Sequence, residues 1–171
     1  ATFSGDIKAQ ADNVQNLFAN TLLHVKNFNM QNSQRGDYTL QNLEASIRTT
    51  ATNQQKLAVR SDFLDADISG NLNPTHIKDG LFAIANQCLP GLVKGQAHPT
   101  VANNLVIDAT LKRTDFLHKM LGVDINVEGN LRAHGNLNTG NEHSSLTIYA
   151  DKLAVGGQEF IRPSIYLHGE N

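Results

Sequence analysis

The side chains best suited to chemistry are two aspartates, a scattered set of histidines and one cysteine. Asp65 and Asp67 lie two positions apart in an alternating stretch, so both carboxylates project from one face of a predicted strand. At that spacing, an acid–base pair or a calcium ion needs a third group to join them. Two solvated aspartates on a strand face are therefore the simpler interpretation.

The histidines do not show metal-binding spacing. No two are placed as H-x-H or H-x-x-x-H, and the single Cys88 excludes a multi-cysteine zinc site and an intrachain disulfide. Asp115 and His118 stand one helical turn apart, as in a catalytic dyad, but a capped helix end with a surface pair has the same spacing. We therefore predict no metal, no cofactor and no enzyme activity. The histidines are His24, His76, His98, His118, His134, His143 and His168.

Composition narrows the class of protein further. Charged residues make up 18% of the 171 positions and the net charge is -2, which disfavours a nucleic-acid partner. The sequence has no apolar run of membrane-spanning length and no signal peptide at its start. It begins inside a strand-like pattern and stops directly after another, so we expect either a cytosolic protein or, preferably, a piece of a longer chain.

β-Strands must position these side chains. Residues 123–137 alternate strictly between apolar or glycine positions and polar ones, which predicts a long strand with one apolar and one solvent-exposed face. Gly129 and Gly135 lie on the apolar face, and glycine at such positions predicts a bend, a bulge or a strand break. The apolar members are Val123, Ile125, Val127, Leu131, Ala133 and Leu137.

Similar alternation, with turn signals about every ten residues, predicts roughly ten strands. The mixed phase of residues 21–30 predicts a strand with a bulge or a phase switch. Residues 34–37 and 52–55 read as turns, and Pro163 is expected at a sheet edge or a strand start.

Helical periodicity appears between the strands. Asn73 and Pro74 are suited to the start of an amphipathic helix of about four turns over residues 74–89. Thr114 is expected to cap a short second helix that ends before Gly122. The predicted fold is mostly β: a curled antiparallel sheet with these two helices, in one β-rich domain over residues 1–171. The apolar stripe of the long helix comprises Ile77, Leu81, Ile84 and Cys88.

The apolar strand faces are open to more than one interpretation. They could form an ordinary core, but aromatic residues are only 6% and tryptophan is absent, which favours a groove for acyl chains. The alternatives are a closed β-sandwich for adhesion or glycan binding, built on Tyr38, Tyr149 and Tyr166, and a spacer that binds nothing. We predict that the groove is lined by Leu105, Ile107, Leu111, Val123, Ile125, Val127 and Leu131, with Ile77, Leu81, Ile84 and Cys88 as a helical lid or end cap.

The order of these elements resembles a segment of the TamB-like translocation and assembly module proteins, in the wider AsmA-like group. The resemblance rests on the strand FLDADISGNL at 63–72, the helix end QCLPGL at 87–92, NLVID at 104–108 and TDFL at 114–117. It covers most of the chain. Cys88 departs from the family pattern, which usually has a larger residue before Leu-Pro.

The resemblance implies a periplasmic piece of a very long envelope protein of a Gram-negative bacterium, anchored in the inner membrane by an N-terminal helix. In that family the strands curl into a taco-like groove, proposed to carry phospholipid between the inner and outer membranes. Outer-membrane assembly with an Omp85-type partner is also implied. The family offers no catalytic residues.

Overall fold

The computed structural model describes residues 2–12, 20–31, 33–34, 36–51, 54–71, 104–115, 119, 125–138, 144–155 and 157–169. Within these residues the chain forms one ten-stranded antiparallel sheet. The strands are β1 (Thr2–Ala11), β2 (Asn20–Gln31), β3 (Tyr38–Ala51), β4 (Gln54–Ser61), β5 (Leu64–Gly70), β6 (Asn104–Leu111), β7 (Ile125–Asn138), β8 (Ser144–Val155), β9 (Gln158–Ile161) and β10 (Ser164–Gly169).

The strands lie in the sheet almost in chain order. The path runs from β1 to β8 and ends on β10, while β9 pairs with the other half of β8. Pro163 stands directly before β10 at this edge, as its missing N–H led us to expect. β1 and β10 do not pair with each other, so the described sheet is open.

The predicted fold class, a sheet combined with two helices, is wrong: all ten secondary-structure elements of the described residues are strands. The helix predicted over residues 74–89, with Ile77, Leu81, Ile84 and Cys88, lies outside the described residues. Antiparallel strands alone build the described fold.

Thr114 precedes the predicted second helix, most of which, residues 116–118 and 120–121, lies outside the described residues. Its side chain is buried, with 7% of its surface exposed, and its hydroxyl accepts a hydrogen bond from the Val127 N–H at 3.3 Å. This hydrogen bond joins the segment after β6 to β7.

The phase switch predicted in residues 21–30 is confirmed. β2 has one extra residue relative to β1, because Ser4 pairs with Asn29 while Asp6 pairs with Lys26. Asn27 has a φ of 51°, in the left-handed region that asparagine tolerates better than most residues. This is a β-bulge.

The bulge predicted at Gly129 is also confirmed. The register of β7 against β8 shifts between Glu128 and Leu131, and Gly129 has a φ of 81°. Gly135 is a different case, because the neighbouring backbone of β8 comes so close that a Cβ there would overlap the carbonyl oxygen of Ser145. Such a close approach in a strand marks a place where only glycine fits.

Gly135→Ala is therefore expected to lower the free energy of unfolding by about 1–3 kcal/mol, the usual cost of overpacking. Gly36→Ala is the matched control, since nothing lies within 4 Å of its Cβ position and only its φ of 80° opposes the change. That control should cost about 1 kcal/mol. Urea unfolding measures both, and equal stability of Gly135→Ala and the wild type would contradict the close approach.

Two hydrophobic clusters stabilise the sheet at opposite ends of its strands. The first, the hairpin-end cluster, consists of Met30, Tyr38, Leu40 and Phe63, next to the β2–β3 connection. The second, the far-end cluster, is centred on Leu105 and Leu137, where β6 and β7 pair. The middle of each strand lies between the two clusters.

Candidate functional site

One face of the sheet carries aliphatic side chains in rows that run across the strands. Directly paired residues of neighbouring strands project from the same face, so the register defines these rows. The central row passes through all nine strands of the main path and is apolar at every position. It comprises Ala9, Leu23, Ala45, Val59, Ala66, Ala109, Ala133, Ile148 and Ile165.

A row made mostly of larger aliphatic side chains lies on each side of the central row. The three rows together are here named the aliphatic face. The hairpin-side row contains Ile7, Val25, Leu43, Leu64, Leu111 and Leu131, with the smaller Ser61 and Ala150 on β4 and β8. The far-side row contains Ile47, Leu57, Ile68, Ile107 and Leu146, with Thr21 and Gly135 on β2 and β7.

The aliphatic face has the shape of a shallow trough. The central row is alanine on four of the five strands β3 to β7, with Val59 on β4. Since alternate residues of a strand are about 7 Å apart, the flanking rows are separated by about 13 Å. Eight steps of about 4.8 Å between strands make the trough about 38 Å long.

Each wall of the trough is supported by one of the hydrophobic clusters. Leu64 and Leu111 of the hairpin-side row pack against the hairpin-end cluster. Leu57, Ile68 and Ile107 of the far-side row pack against the far-end cluster. The walls are therefore held in place by packing.

Exposure along the central row changes from edge to middle. Ala66 in the middle is 5% exposed, whereas Ile165 at one edge is 40% exposed. The described strands all belong to a single sheet, so no second described sheet packs over the aliphatic face.

The residues that the sequence predicted to line the groove do not all lie on the aliphatic face. Ile107, Leu111 and Leu131 are half-buried members of the flanking rows, and Leu105 is buried in the far-end cluster. Val127 lies beyond the Gly129 bulge, is half-buried and pairs with the buried Leu153. Of Ile125 only the backbone is described, and Val123 lies outside the described residues.

Sequence reasoning missed most of the face. It named lining residues on β6 and β7 only, yet Leu43, Leu57 and Ile68 on β3, β4 and β5 occupy the same rows. Their alternation with polar neighbours was the available signal. The alanines could not be assigned to one row without knowing the register.

The opposite face, here named the polar face, carries the aspartates considered for chemistry. Lys112 Nζ lies 2.8 Å from Asp65, and Asp67 pairs with Arg60 and, at 3.4 Å, with Lys56. Desolvation opposes ionisation of Asp67, but the hydrogen bonds and charges of Arg60 and Lys56 hold its pKa below the ordinary value. Both carboxylates are thus members of surface ion pairs, as the simpler interpretation had it.

The other candidates for chemistry give no assembled site. Asp115 forms an ion pair with Arg113 at 2.6 Å, while His118 and Cys88 lie outside the described residues. Among the residues that are described, no three His, Cys, Asp or Glu side chains are grouped so as to hold a metal ion. The same part of the chain contains no helix with the length and apolar character needed to cross a bilayer.

Two small cavities lie on β1 to β3, away from the middle of the trough. One of about 290 Å³ is lined by residues including Gln10, Asn20 and Arg48. The other, of about 220 Å³, is lined by Asp6, Lys8, His24 and Lys26. The first is at the lower limit of the roughly 300–1,000 Å³ of typical ligand pockets, and the second is below it. The trough is therefore the better candidate site.

Tyr38 gives the hairpin-end cluster a measurable pH dependence. Burial, with the nearby Asp115 carboxylate, raises the pKa of Tyr38 to about 12. In the unfolded chain the pKa of this phenol is about 10. The protonated Tyr38 therefore stabilises the fold fully below pH 10. This contribution falls as the pH rises towards 12, because the unfolded state loses its proton first. The free energy of unfolding should drop by about 2 kcal/mol over this window.

Urea unfolding at several alkaline pH values checks this expectation. Tyr38→Phe should remove that part of the pH dependence, while Tyr166→Phe, at an exposed position, should keep it. An unchanged alkaline profile in Tyr38→Phe would contradict the burial of this phenol.

Comparisons of the chain with protein-family models, with curated proteins and with solved structures found no match.

Proposed function

We propose that the aliphatic face binds the acyl chains of phospholipids. We propose further that the chain is a periplasmic segment of a TamB-like, AsmA-like envelope protein, which carries phospholipid between the inner and outer membranes and supports outer-membrane assembly. The observation that carries the proposal is the central row, which is apolar on nine strands of an open sheet. An ordinary surface would mix polar side chains into such a row.

The trough has the dimensions of a track for hydrocarbon. An acyl chain occupies half of a bilayer core of about 30 Å, hence about 15 Å. The trough is about 38 Å long, so a chain lying along the central row would cover about four strands and leave others free. Equivalent neighbouring positions would let a lipid move along the row in steps.

The driving force is the removal of methylenes from water, about 0.8 kcal/mol for each one that is fully shielded. The larger side chains of the flanking rows, such as Leu111 and Ile107, would shield the sides of the acyl chain. The head group would remain in water above the open trough, because the central row offers it no polar partner. The affinity for different lipids should therefore depend on the acyl chain and not on the head group.

The alternative, a closed sandwich that binds glycans, has less support. The described sheet is open, and Tyr38, one of the three tyrosines available for an aromatic platform, is 2% exposed. A buried ring cannot stack on a sugar. The acyl-chain proposal uses the described geometry without such a conflict.

Exposure to phospholipid vesicles followed by native mass spectrometry tests the proposal. The chain, separated from vesicles of phosphatidylethanolamine and phosphatidylglycerol, should retain intact phospholipid of both head-group classes in similar amounts. Protein that carries no phospholipid after this exposure, and that does not enhance the fluorescence of a labelled fatty acid, would contradict the proposal.

The cellular part of the proposal needs its own experiment. An epitope-tagged parent protein in its bacterium should fractionate with the inner membrane and become accessible to protease when the outer membrane is opened. Recovery in the cytosol would refute the envelope assignment and leave the acyl-binding assignment to the vesicle experiment.

A further inference from the structure

The larger of the two cavities, of about 290 Å³, lies at one end of β1, β2 and β3. The residues of the polar face that line it form two rows across these strands. Leu22 and Ser46 are half-buried and form the base of the cavity, while the other four residues of these rows are exposed and form its rim. The rim consists of Gln10, Asp12, Asn20 and Arg48.

Arg48 brings a positive charge to this cavity without a partner for it. Its guanidinium forms no hydrogen bond or ion pair with any described residue. On the neighbouring strand it pairs with Lys56, whose own charge is balanced by Asp67 at 3.4 Å. Like charges directly opposite each other destabilise a pair of strands. An anion bound beside Arg48 would relieve this repulsion.

Neutral hydrogen-bond donors stand next to Arg48. Asn20 pairs directly with Arg48, and its side-chain oxygen accepts a hydrogen bond from the Thr49 N–H at 3.3 Å. The N–H groups of the Asn20 amide therefore remain as donors. Ser46 adds a hydroxyl from the same strand as Arg48. A guanidinium with further donors around it matches the oxygens of a phosphate, which it binds through two parallel hydrogen bonds.

Asp12 lies across the cavity from Arg48. The Asp12 N–H donates to the Asn20 carbonyl at 3.1 Å, so Asp12, Asn20 and Arg48 occupy three successive strands. Two steps of about 4.8 Å separate Asp12 from Arg48 by about 10 Å, and no ion pair joins them in the described part of the chain. An ionised carboxylate accepts hydrogen bonds from hydroxyl groups, and Leu22 offers an apolar surface between the two ends. The cavity thus suits a ligand with an anionic end and a hydroxylated end.

The charge of this cavity does not depend on what adjoins the sheet edge at β1. Arg48, Asn20 and Ser46 lie on β2 and β3, each of which has a neighbouring strand on both sides. The adjoining connections, residues 13–19 and 52–53, lie outside the described residues and contain no acidic residue that could neutralise Arg48. Interior strands therefore supply the donors for an anion.

We propose that this cavity binds a small, water-soluble phosphate ester, with the phosphate on Arg48, Asn20 and Ser46 and the hydroxyl groups of the ester near Asp12 and Gln10. A volume of about 290 Å³ equals that of about ten water molecules, which leaves room for an organic group beside the phosphate. The cavity opens on the polar face, where no apolar row could hold the acyl chains of a lipid. The site lies on the opposite face from the proposed acyl-chain site, so the two are tested separately.

Isothermal titration calorimetry of the full chain with glycerol 3-phosphate tests the site. Glycerol 3-phosphate should bind more tightly than inorganic phosphate, because only the ester reaches the far side of the cavity, and glycerol alone should give no measurable heat. Arg48→Gln should weaken binding of the ester at least tenfold, since a neutral amide replaces the guanidinium. The same variant should displace a fluorescent fatty acid as the wild type does.

Arg132→Gln is the matched control. Arg132 is likewise exposed on the polar face and has no partner among the described residues, but it lies on β7, four strands away from Arg48. This variant should bind the ester as the wild type does. No heat from glycerol 3-phosphate with the wild type, or equal weakening by Arg48→Gln and Arg132→Gln, would overturn the site.

A competition experiment distinguishes a soluble ester from a lipid head group. Vesicles of phosphatidylglycerol present a glycerol phosphate group at a bilayer surface. They should leave the binding of glycerol 3-phosphate unchanged, because the acyl chains have no place on the polar face. Displacement of the soluble ester by these vesicles would overturn the choice of a water-soluble ligand.

Discussion

Lengthening a saturated fatty acid from twelve to sixteen carbons should tighten its binding to this chain by about fifteenfold to about two hundredfold. Four methylenes contribute about 3 kcal/mol when each is fully shielded at about 0.8 kcal/mol, and half of that when only one side of the acyl chain touches protein. The size of the effect therefore reports how deeply the hydrocarbon lies between the flanking rows.

Displacement of a fluorescent fatty acid, at concentrations below micelle formation, measures this dependence. A homologous series of carboxylic acids keeps the head group constant, so any trend belongs to the hydrocarbon. The same affinity for twelve and sixteen carbons would mean that the trough does not hold the acyl chain along its length.

Ile107→Asp should weaken acyl binding by about a hundredfold or more, because a carboxylate in the far-side row would have to lose water when hydrocarbon covers it. Ile107 is half-buried in the wall of the trough and packs against the Leu105–Leu137 cluster. The loss should appear in the displacement assay.

Val106→Asp is the matched control for this substitution. Val106 is the preceding residue of the same strand, 47% exposed and on the polar face, where it pairs with Ser69. Its binding should remain within about twofold of the wild type, since no hydrocarbon reaches that face. Ile107→Ser provides a milder change at the same site if Ile107→Asp unfolds, and equal binding by the position-107 and position-106 variants would reject the aliphatic face as the site.

Much of the strand arrangement was readable from the sequence, because alternation and glycine have local physical causes. The strict two-residue alternation of apolar and polar side chains predicted strand β7, and Gly129 on its apolar face predicted the bulge. The change of phase in the apolar–polar alternation around Asn27 likewise predicted the bulge in β2. In each case the side chain or the backbone freedom of the residue itself determines the local shape.

The site depended on non-local information. Ala66, Ala109 and Ala133 are unremarkable in the sequence, and only the pairing of β5, β6 and β7 places them side by side. The same limit applies to Thr114: the sequence alone does not reveal that its hydroxyl accepts a hydrogen bond from the Val127 N–H of β7.

Val127 shows how a bulge alters a face assignment. Strict alternation put it on the same side as Leu131, but one extra residue at Gly129 intervenes between them. A shift of one residue moves a strand's side chains to the other face. The sequence predicted that bulge, yet its effect on the lining became visible only through the pairing of Val127 with Leu153.

Photo-crosslinking from β4 is the most direct measurement of whether hydrocarbon lies on the aliphatic face. A benzophenone amino acid is introduced at Leu57, in the far-side row, or at the next residue, Ala58, which pairs with Asp67 on the polar face. Both positions are half-buried, so they differ mainly in the direction of the side chain. With radiolabelled phospholipid and light, we expect lipid to be attached from position 57 and not from position 58; equal attachment from both, or attachment from position 58 alone, would contradict the account.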